Sequence, residues 1–270
     1  MTKTKPSFDQ QPDGTVTFSL TLPVASVQKE YQHVLREVQK TTEIKGFRKG
    51  HAPLELVESQ ADPSQLYSHV LEHAFPPAYS QFVSVNQLSP LIDPHIVPQK
   101  MTLDHDWVLD VKIAIAPEVK VGDYQKTVKS ALAKHAKVHD HAHDASNDHL
   151  LEVVFDALLA GTQFKVSPLL IDEEAKSALS RLAKQLSSLK LSVTDYAKSI
   201  KKTPDELVAE YQKSAEANLK LEFILQELVK QEKPEVDDQD IAKLKPAKGQ
   251  EAYAKYVLQK RAVLDKLCAL

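Results

Sequence analysis

Cysteine is almost missing from this chain: Cys268 stands alone two residues from the C-terminus, so no disulfide can form within the molecule. A lone thiol fits a reducing compartment, and the cytoplasm is the expected location. Glycine is scarce as well, with six residues in 270, while Ala, Leu, Lys, Glu and Gln abound. That composition favours helices and leaves few flexible turns. No stretch reaches the roughly 18 uncharged apolar residues of a membrane helix, and Met1 to Gln11 is polar, without the apolar core of a secretory leader. A large charge of one sign is also lacking. The net charge of −3 excludes a polyanion binder that works through its global field, so any nucleic-acid contact must come from a local basic patch. No Gly-x-x-x-x-Gly-Lys-Ser/Thr loop offers an ATP site, and no Ser, His and Asp set has the spacing of a catalytic triad. No cofactor is expected.

What is present divides the chain. From Val16 to Leu22 apolar and polar residues alternate, as in a half-buried strand. After Pro23 the residues Val24, Val27, Tyr31, Val34, Leu35 and Val38 recur at helical spacing. Asp62-Pro63-Ser64-Gln65 has the form of a helix start, and a long helix follows that Pro76 and Pro77 are expected to kink or split near Phe75. Trp107, Leu109, Val111, Ile113 and Ile115 mark a second strand, and Leu91 to Val97, crowded by prolines, suits a sheet edge. This much reads as an α+β unit. The next stretch, rich in His, Lys and Asp, reads as a linker with partial helix. Beyond it the pattern is all α. Ser167-Pro168, the capping box Thr203-Pro204-Asp205-Glu206 and Asp237 open helices striped by Ile171, Ala175, Leu179, Leu182, Leu186 and Leu189 in the first and by Leu207, Tyr211, Ala215, Leu219, Phe223 and Leu225 in the second. Tyr253, Val257, Leu264 and Leu267 stripe the last helix.

Two of the six glycines, Gly46 and Gly50, bracket Phe47-Arg48-Lys49, and Pro53 follows at a helix start. Glycine admits backbone conformations closed to other residues, so three side chains can project from a tight interhelical turn. An aromatic ring beside a forked guanidinium and a point-charge ammonium suits a surface of phosphates or carboxylates around an apolar notch. The alternative is a solvated turn whose Phe47 folds back onto the core.

The octapeptide Gly46-Phe47-Arg48-Lys49-Gly50-His51-Ala52-Pro53 resembles the ribosome-binding signature of the trigger factor family, Gly-Phe-Arg-x-Gly-x-x-Pro. Pro117-Glu118-Val119-Lys120-Val121-Gly122-Asp123-Tyr124 is similar to the end of that family's N-terminal domain. Phe164-Lys165-Val166-Ser167-Pro168 and Lys220-Leu221 through Glu232-Lys233 resemble its helical chaperone domain. The resemblance implies an N-terminal ribosome-binding domain over 1–124, a small sheet plus helices, and an all-α chaperone domain over 150–270. Residues 125–149 then stand as a His-rich linker where the family usually carries a prolyl isomerase domain. It further implies an ATP-independent chaperone that docks beside the exit tunnel of the large ribosomal subunit, on protein and rRNA, and shields nascent or unfolded polypeptides. Phe47, Arg48 and Lys49 would make the contact, on a loop shaped by Gly46, Gly50 and Pro53. About two dozen polar residues cannot build the apolar concavity a prolyl substrate needs, so no isomerase activity is expected.

His135, His139, His141, His143 and His149 cluster among Asp residues. His139, His141 and His143 are weak candidate metal ligands, since imidazole with carboxylate suits Zn, Ni or Cu, but a solvated linker accounts for the same composition. Lys201-Lys202 and the run Lys243 to Lys248 read as solvated helix ends. Two other functions stay open: a ribosome-independent chaperone or assembly factor, and a metal-dependent protein using the His tract. A homodimer is also left open.

Overall fold

In the computed structural model residues 8–138, 147–244, 246–247 and 249–270 are described. The chain forms two compact units, one built on Thr15–Ile115 and the other on Ala116–Leu270.

The first unit is a four-stranded antiparallel sheet carrying helices on one face. Its strands β1 (Phe8–Gln10), β2 (Thr15–Leu22), β3 (His95–Lys100) and β4 (Trp107–Ala114) lie in the order β1-β2-β4-β3. The alternating residues of β2 and β4 pair in register, Phe18 with Val111, Leu20 with Leu109 and Leu22 with Trp107. Their buried side chains meet α1 (Val24–Thr41) and α3 (Pro63–Val85) in one core, where Phe18 stacks on Phe82 with centroids 3.8 Å apart. Trp107 is fully buried, and its indole N–H donates to the Thr102 carbonyl at 2.8 Å, so the one polar atom of the ring is satisfied. Pro23 offers α1 no capping side chain, and Asp106 supplies one from the β3–β4 connection, accepting from the Val24 N–H at 2.7 Å.

Two expectations for this unit are corrected, and one strand is added. The prolines at 76 and 77 do not split α3, which runs unbroken from Pro63 to Val85. Both are exposed, so the carbonyls they leave without donors can turn to water, while Leu66, Val70, Phe75 and Phe82 anchor the helix on both sides. The edge strand forms at His95–Lys100, later than the expected Leu91–Val97; ahead of it the Leu91 N–H reaches the Ala114 carbonyl at 2.9 Å. Strand β1, too short to show alternation, was not expected.

The second unit is helical: α4 (Tyr124–Val138), α5 (Asn147–Gly161), α6 (Pro168–Ser188), α7 (Val193–Ser199), α8 (Pro204–Glu232), α9 (Asp238–Lys243) and α10 (Glu251–Cys268). Much of the stretch expected as a linker is therefore helix. Val128 of α4 is fully buried in the core with Val154 and Leu158 of α5, Ile224 and Leu228 of α8, and Val263 and Leu267 of α10. Three starts form as their residues dictate: α6 opens after Ser167, Asp237 accepts from Gln239 N–H at 3.0 Å, and Thr203 exchanges both bonds of a capping box with Glu206, at 2.8 and 3.2 Å. Of the stripe expected on α10, Leu264 and Leu267 pack on this core, while Tyr253 is exposed and Ala254 and Val263 face inward as well.

Helices α8 and α10 are also tied by polar groups. Glu222 accepts from the Tyr256 hydroxyl at 2.7 Å and from the Lys260 ammonium at 3.0 Å. Burial alone would raise the Glu222 carboxyl, but these two donors and the ammonium charge outweigh it and hold it below the ordinary range. Glu232, held down first by its bond from Lys266 and then by Tyr124, repeats the motif at the other end of the pairing. Carboxyls depressed in the folded state add stability that is present above their unfolded value, about 4.3, and is lost as pH falls through the folded value. Acid titration of the helical unit, followed by circular dichroism, will therefore show destabilisation beginning below about pH 4.5. Glu222→Gln will cost about 1–2 kcal/mol at pH 7 and flatten that acid slope. An unchanged slope would show that the group is unimportant.

Candidate functional site

The Gly-flanked turn grows out of α1. Past Thr41 the chain extends, and Ile44 turns in to join Ala52 and Val57 in a small apolar cluster apart from the main core, with Val38 packed against it. Val57 belongs to α2 (Leu54–Gln60), which starts at once after Pro53. Gln39 of α1 donates its side-chain amide to the Ala52 carbonyl at 2.6 Å. The loop between these anchors folds as two consecutive turns, Phe47 N–H on the Ile44 carbonyl and His51 N–H on the Arg48 carbonyl, each at 3.0 Å. Gly46 and Gly50 adopt φ of +92° and +81°, values an L side chain takes only under strain, and Gly46 has open space where a Cβ would stand. Conformation, not crowding, requires glycine there.

The turns leave Phe47 outside the core, 44% exposed. Among the described residues Arg48 has no carboxylate within ion-pair reach, and Lys49 approaches only the exposed Glu43, at 3.9 Å. Such a solvated pair holds its partner weakly. Phe47, Arg48 and Lys49 are thus brought together on one projecting tip, as their spacing predicts, and the alternative of a Phe47 folded inward does not hold. Lys45, exposed in the same turn, is a further cation that sequence reasoning passed over although it adjoins Gly46. His139, His141 and His143 lie outside the described residues.

A second open surface lies in the helical unit. Leu179, Ala183, Val193 and Val208 line a groove between α6, α7 and α8, braced by a 2.9 Å bond from Gln212 to Asp172. Around the helix ends nearby, Leu189, Leu191 and Ile200 are exposed. Of the stripe expected on α6, Ala175 and Leu186 are buried, while Leu179 lines this groove and Leu189 is exposed.

The molecule is thus of a defined class: an α+β protein whose sheet unit presents an aromatic, cationic loop and whose helical unit leaves an apolar groove open. The family model for bacterial trigger factor protein (TF) matches residues 5–150, and that for bacterial trigger factor protein (TF) C-terminus matches residues 127–267. The chain belongs to the trigger factor family. It is 31% identical over 114 residues to the trigger factor of Limosilactobacillus fermentum, covering 42% of this chain and 26% of that protein. With the trigger factor of Streptococcus pneumoniae (strain Hungary19A-6) it shares 29% over 119 residues, 44% of this chain and 28% of the relative. The chain thus spans about a quarter of the length of the curated relatives it matches. A solved structure from work on "Promiscuous Substrate Recognition in Folding and Assembly Activities of the Trigger Factor Chaperone" superposes with a TM-score of 0.65 at 10% identity, over 97% of this chain and 99% of the other, so the fold is shared. Among the described residues no helix is long and apolar enough to cross a membrane.

Proposed function

We propose that this protein is an ATP-independent chaperone that docks on the large ribosomal subunit near the exit tunnel and shields nascent or unfolded polypeptides in the cytoplasm. The observation that carries the reading is the Phe47-Arg48-Lys49 tip, held out by two glycines with its guanidinium free of any described carboxylate. Exposed cations on a fixed loop gain by replacing counterions on rRNA phosphates, and the ring beside them can enter an apolar notch in the same surface. In this reading residues 1–124 dock and residues 150–270 hold the client. The groove between α6, α7 and α8 suits an unfolded chain because apolar contact is tolerant of sequence and many weak contacts sum. Release follows from that weakness and from folding of the client, without a nucleotide.

The matched family segments overlap at 127–150, which supports a reading without a catalytic domain inserted between them. The reading therefore includes no prolyl isomerase activity. A second reading, a chaperone or assembly factor working away from ribosomes, draws on the groove, which lies wholly within the helical unit.

The test is suppression of aggregation of a refolding client, with and without ribosomes. Wild type will suppress in both settings, and Leu189→Ser/Leu191→Ser/Val208→Ser will lose most of the effect. The same preparation will leave a proline peptide isomerising at its uncatalysed rate. A variant of this exposed apolar surface as active as wild type, or catalysed isomerisation, would refute the respective claim. Suppression without any binding to ribosomes would favour the second reading.

A further inference from the structure

Away from the loop, midway along α1, four titratable side chains converge with α3. His33 Nδ1 stands 4.0 Å from Glu30, its Nε2 stands 3.9 Å from Glu37, and His73 Nε2 on α3 stands 3.7 Å from Glu37. The two imidazole rings meet edge to face with centroids 5.6 Å apart. Each of these polar separations is too long for a hydrogen bond, so the groups gather round a shared space without satisfying one another. One ligand atom each from Glu30, His33 and His73 lies within 4.8 Å of the others.

We propose that Glu30, His33 and His73 bind a divalent transition-metal ion, with Zn²⁺ the best fit, and that the ion ties α1 to α3. Two imidazoles with a carboxylate suit zinc, nickel or copper, whereas calcium and magnesium need a shell of oxygens. Tetrahedral zinc with bonds of about 2.0–2.1 Å sets its ligand atoms roughly 3.4 Å apart. Closing from the present spacing to that one asks for movement of side chains that are half exposed rather than locked in the core. Three protein ligands leave the fourth position to water. The arrangement also provides for the outer ring nitrogens. With Nδ1 of His33 on the metal beside Glu30, its Nε2 faces Glu37 and can donate to that carboxylate, which fixes the ring. Glu30 and His33 sit one turn apart on a single helix, and only the α1–α3 packing adds His73, so the site exists only in the folded unit.

Calorimetric titration of ZnCl₂ into the metal-free full chain tests this site, and the histidines at 139, 141 and 143 serve as the internal control. His33→Gln/His73→Gln will lose one equivalent of zinc relative to wild type, while His139→Gln/His141→Gln/His143→Gln will keep that equivalent. Histidine-resolved NMR of the wild type, which needs no variant to fold, will show the His33 and His73 imidazole signals shifting and saturating together with zinc. Equal zinc stoichiometry in wild type and the His33/His73 variant, or imidazole signals at 33 and 73 that stay still, overturns the proposal.

Discussion

Replacing Phe47, Arg48 and Lys49 together with alanine will reduce co-sedimentation with ribosomes to background and leave the thermal melt of the sheet unit in place. The fold is indifferent because all three side chains are exposed, and substitutions at such positions usually move stability by no more than about 0.5 kcal/mol. The loop keeps its shape because it is set by Gly46, Gly50 and the Ile44, Ala52 and Val57 cluster, none of which is touched. The single substitutions will rank. Arg48→Ala removes a forked donor with no described partner to forfeit, so it will cost more than Lys49→Ala, whose ammonium already shares its charge with Glu43. Every phosphate left without its cation will lower the slope of log affinity against log salt by about 0.7–0.9. If the triple variant pelleted with ribosomes as fully as wild type, docking would have to be sought elsewhere on the chain.

The largest stability effect is expected at Trp107. Trp107→Ala will cost the sheet unit about 3–5 kcal/mol, a large fraction of what holds a domain of this size together. The indole is fully buried, packs edge-on against Tyr67 at 5.5 Å and opens β4, the strand that pairs with both β2 and β3. Removing it leaves a cavity beneath α3 and strands the Thr102 carbonyl that accepted its N–H. Urea titration followed by circular dichroism is the measurement, because the only tryptophan is the residue removed. Helicity will fall in two steps, the sheet unit melting at much lower urea and α5, α8 and α10 holding to their usual midpoint. Ribosome binding will vanish with the first step although the loop sequence is intact. A single transition at the wild-type midpoint would contradict the account of this core.

How far these features could be read in the sequence depended on whether their cause is local. Strands β2 and β4 each alternate over eight residues with one buried face, and a pattern that long has one sensible reading. The caps at Asp62, Thr203 and Asp237 rest on a side chain reaching an amide two or three residues on, so the sequence displays them openly. The loop was equally plain, since a glycine at positive φ marks itself. Helix α4 was obscure for the opposite reason: among its described residues only Val128 is fully buried in a run of Lys, Ala and His, and it is the packing on α5 that makes that one residue count. The prolines of α3 misled because local chemistry forbids them in a helix, while the tertiary face that rescues them lies on other elements. Likewise, the Glu30, His33 and His73 group spans more than forty positions, and no spacing rule on one helix could add the third member.

The projecting loop stands on a hydrophobic footing of its own, Ile44, Ala52 and Val57, with two backbone turns and the Gln39 amide as struts. Its shape is settled before any partner arrives, so landing demands almost no freezing of the backbone, and the entropic toll of association falls mainly on three side chains. An anchor of that kind alights fast and lets go as soon as its charges are solvated again. Short, frequent visits are the kinetic signature to expect of it, suited to a surface where each growing chain needs attention only while it is too short to fold.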